Sequence, residues 1–312
     1  MMKAFIKFGA KHRPFSAGER IGCWSFLMAI LLAFVDIRLS LMVLAGFVVM
    51  CFAAPFFPGS NFYLPVVSRG SSGRKAVALT FDDGPDPQTT PELLRLLKKH
   101  RVAGTFFVNG RKAGLYPHLI EEILNHGHCV ANHSFNHDVF MAFRGKQTVM
   151  RDIEAVQEVL RRHGIAPLAF RPPVGITSPR LREVLQTMGM FAVNFSCRAR
   201  DGGNRWLRHL SQKILRRLRP DDIVLLHDIA PRSAALLSLW VEEIDRILEG
   251  IHTKGLDVLP LAELIGRPVM IKTAEGDDYD GVSLSFREKP FDNGSNESPG
   301  DMVSPQRTDL QE

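Results

Sequence analysis

Apolar and polar positions fall into two regimes along the chain. From Ile21 to Phe57 the sequence is almost continuously apolar, with charge only at Asp36 and Arg38. From Lys75 onward, short apolar runs alternate with amphipathic stretches. The runs at Ala76–Leu79, Thr105–Val108, His128–Asn132, Leu168–Phe170, Phe191–Ser196, Ile223–Leu226 and Leu256–Leu259 have the length and flanks of buried strands. The stretches Pro91–His100, Pro117–His126, Thr148–His163, Ser178–Met188, Arg205–Leu218 and Ser233–His252 read as helices. Leu93, Leu94, Leu96 and Leu97, and again Leu119, Ile120, Ile123 and Leu124, recur at helical spacing. Strands alternating with helices pair in parallel through right-handed crossovers. This alternation predicts an α/β fold of barrel type, with the chemistry at the C-terminal strand ends.

The first regime predicts one or two transmembrane helices, about 21–35 and 39–57, since a span takes roughly 20 apolar residues. Two spans would form a hairpin around Asp36–Arg38; the alternative is one span preceded by an interfacial or buried helix. The stretch is too long for a simple signal peptide and no small-residue cleavage site follows it. Residues 1–20 carry five basic residues against Glu19. With two spans the positive-inside rule puts the following domain in the cytoplasm; with one it lies outside. The expected organisation is a basic segment 1–20, membrane helices within 21–57, a Pro-, Gly- and Ser-rich linker 58–74, a catalytic domain 75–270 and a disordered acidic tail 271–312.

Composition narrows the class. At 45% hydrophobic and 23% charged residues the chain is globular. Residues 198–219 hold eight Arg or Lys against one Asp, a segment suited to anionic headgroups or to a solvated helix face. No nucleic-acid recognition motif accompanies it, so no nucleic-acid partner is expected. Four cysteines without C-x-x-C spacing argue against a thiolate zinc site or a disulfide scaffold.

The polar residues at the predicted strand ends converge in type. Asp82 and Asp83 end the first strand, where two like charges need a cation or a shared proton; the same letters also make a solvated Asp-Asp-Gly-Pro turn. His133 and His137, four apart, present both imidazoles to one face if that segment turns helically. With Asp83 they form a two-histidine, one-carboxylate set with an open position, as in catalytic metal sites, zinc being the default among divalent metals. Asp82 is then placed to accept a proton from water, Arg171 to hold Asp82 ionised, and His227 to protonate a leaving group. Asp201 is placed to orient His227. Each residue alone also suits a surface pair, a turn or a packed core histidine; together they describe metal-assisted hydrolysis of an amide or ester. His100, His126, His163 and His252 fall near helix C-termini and are read as structural.

From about Lys75 to Ile265 the chain resembles the polysaccharide deacetylases of the NodB-homology, carbohydrate esterase 4 type. Five stretches carry the resemblance in order: Thr80-Phe81-Asp82-Asp83-Gly84, His133-Ser134-Phe135-Asn136-His137, Arg171-Pro172-Pro173-Val174-Gly175, the Asp201 segment, and Leu225-Leu226-His227. The resemblance implies a deformed (β/α) barrel; Asp83, His133 and His137 as ligands of one divalent metal; Asp82 as base and His227 as acid. It further implies Arg171 orienting Asp82, Asp201 tuning His227, the Val174 N–H at an oxyanion hole, and Leu225 as an apolar wall for the acyl methyl. The implied substrate is an N-acylated amino sugar of an envelope or lipid-linked glycan. The alternatives are a deformylase or other amidohydrolase, and an inactive glycan- or lipid-binding barrel. Two departures stand out: Val174 replaces a frequent aromatic, and Gly202-Gly203 follow Asp201 where the family usually has Trp, both removing aromatic surface for a sugar.

Overall fold

The computed structural model describes residues 15–273; residues 1–14 and 274–312, which hold most of the basic segment and of the acidic tail, lie outside the described residues. Helix α1 (Ala17–Ala33) starts on a capping box in which Ser16 and Glu19 exchange side-chain and backbone hydrogen bonds. Helix α2 (Ile37–Ala53) starts where the Asp36 carboxylate accepts from the Arg38 N–H. The charged interruption is therefore a turn, and both helices begin earlier than expected because these caps fix their starts. The flanks of the pair are apolar and open, with Trp24 70% and Phe34 86% exposed. Among the described residues, only Ile37–Phe56 is long and apolar enough to cross a membrane. At 17 residues, α1 is about 25 Å long and carries Glu19 and Arg20 in its first turn.

The expected linker 58–74 is packed in part. Phe62, Leu64 and Val66 are buried, and β1 (Val66–Val67) pairs in parallel with a later strand. Here the apolar Phe62-Tyr63-Leu64 outweighs the surrounding Pro, Gly and Ser. The segment also roots the helical hairpin: the Gly18 N–H donates to the Phe62 carbonyl at 2.8 Å, and the Tyr63 hydroxyl to the Cys51 carbonyl at 2.7 Å.

The remaining elements follow the predicted alternation: β2 (Ala76–Asp82), α3 (Thr90–His100), β3 (Gly104–Val108), α4 (Gly110–Leu115), α5 (Pro117–Asn125), β4 (Cys129–Asn132), α6 (Lys146–Arg161), β5 (Ile165–Pro167), β6 (Ala169–Phe170), α7 (Pro179–Thr187), β7 (Phe191–Val193), β8 (Cys197–Arg198), α8 (Leu210–Arg217), β9 (Ile223–His227), α9 (Ala234–Thr253), β10 (Asp257–Val258), α10 (Leu261–Leu264) and β11 (Met270–Lys272). The parallel sheet runs β1-β7-β6-β4-β3-β2-β9-β8, with β10 added to β2. The stretch 191–198 leaves the β6 side as β7 and arrives beside β9 as β8, drawing the two sides of the sheet together into a deformed barrel. Along β2 the side chains alternate. Ala76 and Ala78 face the inner cluster with Phe107, Ala131 and Leu225, whereas Val77, Leu79 and Phe81 face the helices with Leu93, Leu97 and Trp240.

Two expectations are corrected. The helix expected at Arg205–Leu218 is confined to Leu210–Arg217, because residues 201–209 fold as a loop with Asn204 and His209 in left-handed backbone. The boundary expected at residue 271 is the second: Met270–Lys272 forms a strand paired antiparallel with β5.

Candidate active site

Parallel strands bring their C-terminal ends to one side, and the predicted residues collect there. In register, Asp82 at the end of β2 lies opposite His227 at the end of β9. Asp83 follows with φ 72°, a left-handed backbone that Asp adopts more readily than most residues. This turn lets consecutive carboxylates serve different partners.

Arg171, at the end of β6, is fully buried. Its Nη1 donates to Asp82 Oδ1 at 2.6 Å and to Thr80 Oγ1 at 2.8 Å. Its Nη2 and Nε donate to the carbonyls of Asn194 and Val193. The guanidinium also lies 4.0 Å from the Phe107 ring centroid. Burial pulls the guanidinium pKa down, and the Asp82 carboxylate opposes that pull. Arg171 is thus a counter-ion clamped on several sides, rather than a surface salt bridge.

Beyond β4, His133 and His137 converge through a loop and not through the helical turn that their spacing suggests. Ser134 and His137 take left-handed backbone, φ 67° and 52°. Asp152 on α6 holds the loop by accepting from the N–H groups of Phe135 and Asn136 and from the Asn136 side chain. Sequence reasoning missed Asp152, because its partners are mostly backbone groups that no motif records. The two rings end 5.1 Å apart. Asp83 Oδ1 lies 3.4 Å from His133 Nε2 and 3.0 Å from His137 Nε2.

These three donor atoms lie within 4.8 Å of one another. Ligand atoms tetrahedrally arranged at zinc bond lengths of ~2.1 Å stand about 3.4 Å apart, so the spacing fits one small divalent cation. The outer contacts fit as well. His133 Nδ1 lies 2.8 Å from the Arg171 carbonyl; donating to it fixes the tautomer that turns a bare Nε2 toward Asp83. The electrostatics call for positive charge at this point. Burial pushes the Asp83 carboxyl up, but hydrogen bonds and charge from His133 and His137 hold it well below the usual range. Burial depresses the His133 imidazole, and Asp82 and Asp83 override that and raise it. Two carboxylates, Asp82 buried and Asp83 largely so, thus draw a proton onto a buried histidine, a demand that a divalent cation would meet instead.

His227 Nδ1 lies 2.9 Å from Asp201 Oδ2. Burial lowers this imidazole, but Asp201, with Asp83 and Asp82, pushes it up to about 9. The raised pKa keeps His227 protonated below that value and neutral above it. Replacing Asp201 by Asn leaves burial unopposed by its nearest carboxylate. We expect the alkaline limb of the activity profile to move down by about a pH unit or more; an unmoved limb in a pH–rate series would dissociate Asp201 from the acid.

Asp228, next to His227, is a second group without an assigned role in the sequence reading. It is buried; Thr89 and Thr90 donate to its two oxygens at 2.6 Å each, and its N–H donates to the Asp82 carbonyl at 2.8 Å. Burial pushes its carboxyl up to about 7. A Cβ at Gly84 would run into this carboxyl. Gly84→Ala is expected to destabilise by about 1–3 kcal/mol, as overpacking does, and to lower activity with it; thermal unfolding showing no loss would contradict this packing.

Leu225 lies two residues before His227 on the same face of β9 and is buried in the barrel interior. Val174 sits in the turn Pro173–Gly175 with φ 53° and is 51% exposed. The aromatic surface judged missing after Asp201 is partly restored. The Trp206 backbone N–H donates to the Asp201 carbonyl at 2.9 Å, and the indole ring lies over Gly202, where a Cβ would meet it at 2.8 Å. The glycine that replaces an aromatic thus makes room for one four residues on.

Residues 69–193 match the family model described as Polysaccharide deacetylase. A chitooligosaccharide deacetylase of Sinorhizobium fredii is 34% identical over 211 residues, covering 64% of this chain and 97% of that protein. A peptidoglycan-N-acetylglucosamine deacetylase of Bacillus cereus is 29% identical over 196 residues, covering 62% of this chain and 90% of that one. Among solved structures, the Bc1960 peptidoglycan N-acetylglucosamine deacetylase superposes with a TM-score of 0.60 at 28% identity, over 65% of this chain and 94% of that one. The chain belongs to the polysaccharide deacetylase family. It is accordingly a hydrolase of non-peptide carbon–nitrogen bonds, as the sequence resemblance implied.

Proposed function

We propose that this chain is a membrane-anchored, metal-dependent deacylase that removes an N-acyl group, acetyl in the first instance, from an amino sugar of a cell-envelope or lipid-linked glycan. The observation that carries the reading is Asp82, held by the buried Arg171 at 2.6 Å beside the Asp83, His133 and His137 cluster and opposite His227 across the ladder. The deacetylase relatives from Sinorhizobium fredii and Bacillus cereus support the bond type. The exposed apolar flanks of the α1–α2 hairpin support the anchor.

Asp83, His133 and His137 would hold the cation, whose chemistry is Lewis acidity toward a carbonyl oxygen and a water. Asp82 accepts the proton of the attacking water, and Arg171, donating to Asp82 Oδ1 at 2.6 Å, fixes the orientation of that carboxylate. The water oxygen bonds to the acyl carbon. As the carbon–nitrogen bond breaks, His227 gives its proton to the departing amine, with Asp201 steadying the imidazolium. Leu225 supplies the apolar floor that accepts a small acyl methyl, and the Val174 backbone N–H is our candidate donor to the carbonyl oxygen. Products are a free carboxylate and an amino sugar. The test is release of acetate and of formate from N-acetylated and N-formylated amino-sugar substrates by the full chain loaded with zinc. Formate alone would reassign the acyl group, and no release from any substrate would favour a binding barrel.

A further inference from the structure

The end of the barrel that carries the site is also the end at which the hairpin is rooted. α7 leaves the Arg171 loop at Pro179, and Arg182 in its first turn pairs with Glu19 of α1 at 3.0 Å. Just past the hairpin, the Pro58 carbonyl accepts from the Asn194 side chain, which also donates to the Gly175 carbonyl. The carbonyl of the same Asn194 accepts from Arg171. Three contacts therefore lead from the hairpin root to the base Asp82.

The exposed side chains on the loops of this end are of two kinds. On the loop after His137, Val139, Phe140 and Phe143 are 43%, 61% and 69% exposed. Met141 between them is buried with Leu64 and Val66 on the segment that leads from the hairpin. On the loop after β8, Arg200, Arg205, Trp206 and Arg208 are all exposed. Among the described residues none of these three arginines stands in an ion pair with an acid. Guanidinium groups, an indole and bare phenyl rings together form the side-chain set of surfaces that rest at lipid headgroups. Arginine meets phosphate, indole sits at the boundary and phenyl enters the acyl edge.

We propose that these two loops rest against an anionic bilayer surface continuous with the hairpin, so that the site opens into the headgroup layer and takes amino sugars carried on an anionic lipid. The substrate class rests on the deacylase reading above; the docking does not. In solution, these seven exposed apolar and cationic side chains would gain nothing from their apolar members, whereas at a headgroup layer every one of them is matched.

The test uses the full chain in vesicles of phosphatidylcholine with and without phosphatidylglycerol. Of the three tryptophans, Trp240 is fully buried and gives a constant background, and Trp24 of the hairpin is removed by Trp24→Phe. In that background Trp206 is expected to lose most of its emission to lipids spin-labelled near the headgroup. The loss should be larger in anionic vesicles, shrink as salt rises, shrink in Arg205→Gln/Arg208→Gln, and vanish in Trp206→Phe. Trp206 emission indifferent to the spin label in both vesicle types would overturn the proposal and leave the rim facing water or a soluble glycan. Acetate and formate release, scored in the same samples, reports on the deacylase reading separately. Quenching without release would sink that reading and keep the docking; release without quenching would do the reverse.

Discussion

Asp82→Asn is expected to lower turnover by a factor of roughly 10²–10⁴, the usual worth of a positioned general base, while the cation remains bound. Asn has the shape of Asp but cannot take the proton from water. The ligands Asp83, His133 and His137 are untouched, so metal content should not change. Stability should fall as well. Arg171 is fully buried and its Nη1 meets Asp82 Oδ1 at 2.6 Å. Removing the charge of one partner in a buried pair leaves the other uncompensated, at a cost of up to about 3–5 kcal/mol. The amide oxygen of Asn retains one hydrogen bond and recovers part of that. A second variant separates the two effects: Asp82→Asn/Arg171→Gln should regain stability but not turnover. The measurements are acyl release, metal content and thermal unfolding on the same preparations. Unchanged turnover would remove Asp82 from the proton transfer.

Loss of the acid is the second large effect. His227→Ala is expected to cut amide hydrolysis by a similar factor of about 10²–10⁴. The discriminating feature is the leaving group. An amine departs from an amide only with a proton, whereas nitrophenolate leaves an activated acetyl ester without one. His227→Ala should therefore spare p-nitrophenyl acetate relative to an N-acetyl amino sugar. Equal losses on both would mean that His227 shapes the site and does not protonate the leaving group. Because Asp201, with Asp83 and Asp82, pushes His227 up to about 9 against the pull of burial, the loss of amide activity that follows deprotonation of His227 should fall on the alkaline side of neutrality. A cation that offsets Asp82 and Asp83 leaves Asp201 as the main support, which is why the Asp201→Asn profile is informative.

The long-range architecture was legible because it rests on periodicity. Seven apolar runs separated by amphipathic stretches map onto β2, β3, β4, β6, β7, β9 and β10, and the polar residues at their ends meet at one side of the barrel. What escaped were short pairings set by tertiary context. β1, β5, β8 and β11 are two or three residues long, too short to show a period of two. The loop that joins His133 to His137 is not legible as such, because i,i+4 spacing suits a helical turn equally and the left-handed Ser134 leaves no mark in composition. Asp152 and Asp228 escaped for a related reason: both act on backbone N–H groups or hydroxyls brought in by distant segments. Trp206 was overlooked because it stands four residues after Gly202, and only the fold shows that the glycine is the seat of the ring.

The most direct measurement is the metal content of the purified full chain after exhaustive dialysis, by elemental mass spectrometry. This account predicts about one divalent ion per chain, as for a single three-ligand site, in the wild type and in Asp82→Asn, and almost none in Asp83→Ala or His137→Ala. A fully active protein without metal, or an ion retained when Asp83 or His137 is gone, would contradict it.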